Sequence, residues 1–96
     1  MREITAATIT DTVRRLFQEA NYFLPDDVLT SIKQARQREE STLARNILDQ
    51  IIENAGIAAD KQMALCQDCG TACVFLELGQ DVHVSGGGLY DAINEG

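Results

Sequence analysis

Residues 65 to 85 read "LCQDCGTACVFLELGQDVHVS", and the fold turns on where helical spacing gives way within them. From Thr71 to Gly79 the side chains are β-branched, aromatic or apolar, first on both alternating faces, which is the pattern of a buried strand. A turn at Gly79 to Asp81 separates this run from "DVHVS", which reads as a second, shorter strand. "GGG", Gly86 to Gly88, interrupts, and "LYDAINEG" then opens a further helix. All three cysteines, Cys66, Cys69 and Cys73, fall within eight positions at the head of the stretch.

Upstream the periodicity is helical. Ile9, Val13, Leu16, Phe17 and Ala20 predict an amphipathic helix over about 8–22, with "TITD", Thr8 to Asp11, as a capping-box start. "PDDV" is a good first turn for a second helix: Pro25 needs no amide partner there, and Asp26 and Asp27 suit the positive end of the dipole. Its buried stripe is Val28, Leu29, Ile32 and Ala35. Ser41 caps a third helix, whose wide apolar face is Leu43, Ala44, Ile47, Leu48, Ile51, Ile52 and Ala55. Gly56 is one stopping point for this helix, and continuation through "IAADKQ" is the other.

The expected architecture is therefore α+β or α/β: about three helices, one or two strands and the start of another helix. Residues 1–62 form a helical N-terminal region, and residues 63–96 the cysteine loop, strands and helix start of a catalytic domain, together one structural unit. One or two strands make no independent sheet, so the chain reads as a piece truncated from a larger α/β domain.

Composition narrows the function. At 96 residues, 45% hydrophobic and 24% charged, the chain suits one modest soluble core and offers no membrane-spanning run. Its first residues lack a secretory signal, which points to the cytoplasm, where clustered thiols stay reduced and an odd count cannot close pairwise. The net charge is −7, and residues 63–96 hold five acidic side chains and no Lys or Arg. Nucleic-acid binding wants a basic face and is set aside. Cations that hold any anionic ligand must come from a metal centre or from elsewhere in the molecule.

The residues of the cysteine loop leave several readings open. "CQDCG" has the shape of a zinc knuckle, and Cys73 with His83 would complete a Cys3His set, but a second knuckle is missing and Cys73 sits in an apolar strand run. A redox CxxC normally lies between a strand and the helix after it. Here the order is helix, motif, strand, and Asp68 between the thiols raises a thiolate's pKa. A small non-enzymatic zinc-binding or helical interaction module is the alternative to an enzyme. His83, between Val82 and Val84, points to the opposite face of its strand, toward solvent or a domain contact. Gly86 to Gly88 lack the Lys-Ser/Thr pair of a P-loop and read as a permissive turn. Tyr22, Phe23 and Leu24 pack the corner between the first two helices.

"ANYFLPDDV", "CQDCGT", "VFLELGQDV" and "DAINEG" together resemble the N-terminal part of the class I, iron–sulfur fumarate hydratases and the related tartrate dehydratases, in particular the alpha subunit of two-subunit forms. The resemblance runs over nearly the whole chain, and "CQD" is its functionally specific part. It implies that Cys66 is one of three thiolate ligands of a [4Fe-4S] cluster, the other two lying beyond Gly96. It also implies that Gln67 hydrogen-bonds a substrate carboxylate, and that Asp68 meets the substrate hydroxyl or water and shares in proton transfer. Where this chain has Cys69 the family usually has threonine, and at Cys73 an apolar residue, so neither is an implied ligand. The implied reaction interconverts fumarate and (S)-malate, or dehydrates tartrate. It is carried out by an oligomer with a beta subunit or C-terminal domain, and this segment alone is expected to be inactive.

Overall fold

A computed structural model describes residues 2–66 and 71–96. The elements run β1 (Arg2–Thr5), α1 (Ala6–Tyr22), α2 (Asp26–Arg38), α3 (Thr42–Lys61), β2 (Val82–Ser85) and α4 (Leu89–Glu95). The chain divides into two compact units, Met1–Gln18 with Gly70–Gly96, and Glu19–Cys69.

The first unit is organised by a parallel pair of strands from opposite ends of the chain. Arg2 stands opposite Val82, Glu3 opposite His83, Ile4 opposite Val84 and Thr5 opposite Ser85. Val82 and Val84 are half-buried while His83 is exposed, the alternation expected of a strand with one covered face. β1 carries one apolar residue in four, so it has no periodic signature of its own. Its partner lies about eighty positions away, and only folding reveals it.

α1 starts earlier than its hydrophobic pattern indicates. The Thr5 hydroxyl, not that of Thr8, accepts the orphan amide: Thr8 N–H donates to Thr5 Oγ1 at 3.2 Å. Val13 of α1 and Ala92 of α4 are buried, and Thr10 Oγ1 donates to the Ala92 carbonyl at 2.9 Å. The end of α4 lies so close to α1 that a Cβ on Gly96 would stand 2.7 Å from both the Thr10 carbonyl oxygen and Val13 Cβ. Between β2 and α4 the turn needs glycine, because Gly86 has φ +79°.

The expected strand at 71–79 does not form; these residues are irregular. A strand exists only through a partner's ladder of hydrogen bonds, and among the described residues β1 and β2 pair with each other. Phe75 is 96% exposed, and Val74, Leu76 and Leu78 are exposed with it. Cys73, expected in a strand core, is likewise exposed.

In the second unit α2 and α3 pack as an antiparallel-type hairpin across a short connection. Pro25 sits at the N-cap of α2, one place outside the first turn, and its carbonyl receives the Leu29 amide at 3.0 Å. Asp26 and Asp27 in the first turn and Arg36 and Arg38 in the last complement the helix dipole. Ser41 caps α3 by accepting the Ala44 amide at 3.3 Å. Arg36 crosses to α3 as a two-point contact with Asp49, Nε to Oδ1 at 2.9 Å and Nη2 to Oδ2 at 3.3 Å. At the corner before α2 the Tyr22 and Phe23 rings meet edge to face, centroids 6.4 Å apart.

Of the apolar stripe on α3, Ala55 is buried, Ala44, Leu48 and Ile52 are half-buried, and Leu43, Ile47 and Ile51 are exposed. Gly56 does not end the helix. α3 continues to Lys61 and stops at Gln62, which takes the left-handed conformation at φ 52° and ψ 50°. Met63 N–H then donates to the Ala58 carbonyl at 3.1 Å, the six-to-one bond of a Schellman turn.

Candidate metal centre

The stop of α3 delivers the chain to Cys66. After the turn at Gln62, Leu65 N–H donates to the Asn21 carbonyl at 2.8 Å, and Leu65's own carbonyl accepts from Asn54 Nδ2 at 2.7 Å. Both peptide groups of the residue preceding Cys66 are thereby held within the second unit. Cys66 follows as an exposed residue on the wall of a groove of about 640 Å³, lined also by Leu24, Ile32, Ile47 and Ile51. Among the described residues, no Lys or Arg lines this groove.

Gln67, Asp68 and Cys69, the other residues of the motif, lie outside the described residues. Cys73 and His83 are described, both exposed and both in the first unit. Among the described residues, no group of three or more His, Cys, Asp or Glu side chains is placed to hold a metal ion. Of the two exposed thiols described, Cys66 is the one beside the apolar wall of this groove. A thiolate is the donor that iron–sulfur clusters take, so the donor chemistry at Cys66 fits such a group.

A second cavity, of about 400 Å³ in the first unit, is lined by Gly86 to Gly88 with Asp11, Asp91 and Glu95. Three carboxylates there oppose an anion, which agrees with the glycines serving the turn. The helix pair of the second unit has an electrostatic contact of its own. The hydrogen bond from Arg36 holds the Asp49 carboxyl below its usual range and, reciprocally, raises the guanidinium.

Sequence reasoning passed over Asn21 and Asn54. A signal for Asn54 existed: asparagine is a poor interior helix residue because its amide competes for backbone partners, and here it stands within a long apolar-faced helix.

An exposed thiol following a helical hairpin, in a chain whose other unit joins two paired strands to flanking helices, is what the described residues present. The family model described as fumarate hydratase (Fumerase) matches residues 10–96. A protein of Methanocaldococcus jannaschii, provisionally named L(+)-tartrate dehydratase subunit alpha, is 43% identical over 77 residues, which cover 80% of this chain and 27% of that relative. No solved structure matches the chain. The chain belongs to the class I, iron–sulfur fumarate hydratase and tartrate dehydratase family of hydro-lyases. It spans about a quarter of the length of the curated relative it matches.

Proposed function

We propose that this chain supplies part of the active site of a hydro-lyase that reversibly hydrates fumarate to (S)-malate or dehydrates tartrate. The observation that carries this reading is "CQD" in a member of this family, with the cysteine exposed on a groove wall. In it, Cys66 is one thiolate ligand of a [4Fe-4S] cluster. When bound, such a cluster supplies an iron with an open coordination position, a Lewis acid toward a substrate hydroxyl and carboxylate.

The chain's own residues do the remaining work. Gln67 donates its side-chain N–H to a substrate carboxylate, which fixes the orientation of the dicarboxylate. Asp68 accepts a hydrogen bond from the substrate hydroxyl or water, and its carboxylate shares in moving a proton as water enters or leaves. The absence of Lys and Arg from residues 63–96 fits a site whose neutralising cations come from a metal centre or from other parts of the enzyme. The other two cluster thiolates lie further along the polypeptide, beyond Gly96, and a beta subunit or C-terminal domain completes the oligomer. The working division is a helical region at 1–62 and an entry into the catalytic domain at 63–96. The enzyme works in the cytoplasm, and the 96-residue segment by itself is inactive. Among the described residues, no helix is long and apolar enough to cross a membrane.

The test is anaerobic reconstitution of the full-length protein with any partner subunit, followed by iron analysis and hydration assays on wild type and Cys66→Ala. Loss of both iron and activity is expected. Activity retained without Cys66 would end the cluster reading.

A further inference from the structure

We propose that Asn54 is a positioning residue for the loop that presents Cys66. This rests on the reading of Cys66 as a ligand and adds to it a specific device, on α3, that orients the ligand's peptide.

One peptide group sets the geometry. The Leu65 carbonyl and the Cys66 N–H belong to the same planar trans unit, so they point in opposite directions. Asn54 Nδ2 lies 2.7 Å from that carbonyl. Fixing the carbonyl toward α3 therefore fixes the Cys66 N–H to project away from α3. The preceding peptide is held as well, by Leu65 N–H on the Asn21 carbonyl at 2.8 Å, and the two bonds brace one residue together. With both flanking planes set, Leu65 has little freedom in φ or ψ, and the Cα of Cys66 is delivered to one place.

The anchor is also short and stiff. It reaches across eleven residues of sequence from a helix that the Schellman turn at Gln62 has just ended. A ligand arriving from an unanchored loop would have to be ordered at the moment of metal binding. Anchoring it beforehand lowers that entropic cost and sets the direction of the backbone amide beside the sulfur, an outer-shell feature that tunes metal sites. Asparagine suits the task because its amide donates a proton over a short reach. Aspartate has the same shape and, ionised, no proton to give.

The test uses the full-length protein in wild-type, Asn54→Ala, Asn54→Asp and Asn54→Gln forms near pH 8. Backbone hydrogen exchange is followed in the apo protein at residues 63–66, with residues 43–52 of α3 as the internal control. Asn54→Ala and Asn54→Asp are expected to speed exchange of the Leu65 amide roughly five- to tenfold. They should leave the control unchanged and speed loss of iron to a chelator after reconstitution. Asn54→Gln, which keeps the donor, should stay nearer wild type in both measurements. Unchanged exchange at Leu65, or an equal rise throughout α3, would overturn the positioning role. Full iron content in Cys66→Ala would instead overturn the ligand reading. Iron lost in Cys66→Ala with exchange unaltered in Asn54→Asp would overturn the positioning role alone.

Discussion

Cys66 has a local setting quite unlike that of Cys73, although only seven positions separate them. Cys66 follows a residue hydrogen-bonded through both of its peptide groups; Cys73 lies in an irregular run of exposed side chains. Counting cysteines would weight the two equally, whereas the backbone around them does not. For Gln67 and Asp68 the expected roles separate kinetically in the full-length enzyme. Gln67→Ala removes a donor to a carboxylate present in both ground and transition states, so KM should rise more than kcat falls. Asp68→Asn keeps the shape but not the basicity and should lower kcat by about 10² to 10⁴-fold. Steady-state assays on both variants, at matched iron content, check the division. A kcat unchanged in Asp68→Asn would remove that residue from proton transfer.

Helix ends and the helix pair carry the predictions that belong to elements. Gln62 holds a left-handed conformation that glycine adopts without penalty, so Gln62→Gly should stabilise the fold by about 1 kcal/mol. Ser41→Ala, which strips the N-cap of the same helix, should destabilise by about 1 kcal/mol. Urea midpoints at unchanged m-value report both. Between α2 and α3, Arg36 holds the Asp49 carboxyl below its usual range, chiefly through their hydrogen bond. A carboxylate with a depressed folded-state value stabilises fully above the ordinary aspartate range, near about pH 4, and loses that contribution as pH falls through the lowered value. Asp49→Asn should therefore lower stability slightly at neutral pH and converge with wild type in acid, which flattens the acid side of the profile. Because the pair is exposed, added salt should shrink the difference.

At the scale of the whole molecule the exposed apolar surface is the dominant feature. Among the described residues the buried hydrophobics are Val13, Ala55, Ala58 and Ala92, all small, while Phe75, Leu43 and Ile47 stand in solvent. Fully covering a Phe, Leu or Ile contributes about 1.5–3 kcal/mol, so a surface of this kind drives association. The 96-residue chain by itself should self-associate despite its net charge of −7, more strongly at high salt. Phe75→Ser together with Leu78→Ser should shift it toward monomer in light scattering. Equal association in that double variant would place the driving surface on the helices instead.

Local signals were enough for α2, α3 and their order. Helical spacing, the Ser41 cap and the Pro25 boundary act within a few residues of one another, and such signals survive without tertiary context. The "CQD" unit is contiguous in the sequence, and the family resemblance, not pattern alone, singled it out. Elements that depend on distant partners escaped it. β1 exists because β2 pairs with it across the chain, and Thr5 caps α1 ahead of the apolar pattern. The run at 71–79 has every strand propensity yet forms no ladder with the described residues. Asn54 reaches the residue before Cys66 only because α3 runs past Gly56 and turns at Gln62. Spacing and composition act over short stretches of chain, and so the sequence alone determined the helices and the thiol motif. Strand pairing and the anchoring of Cys66 need groups that meet only after folding, so the tertiary structure decided those.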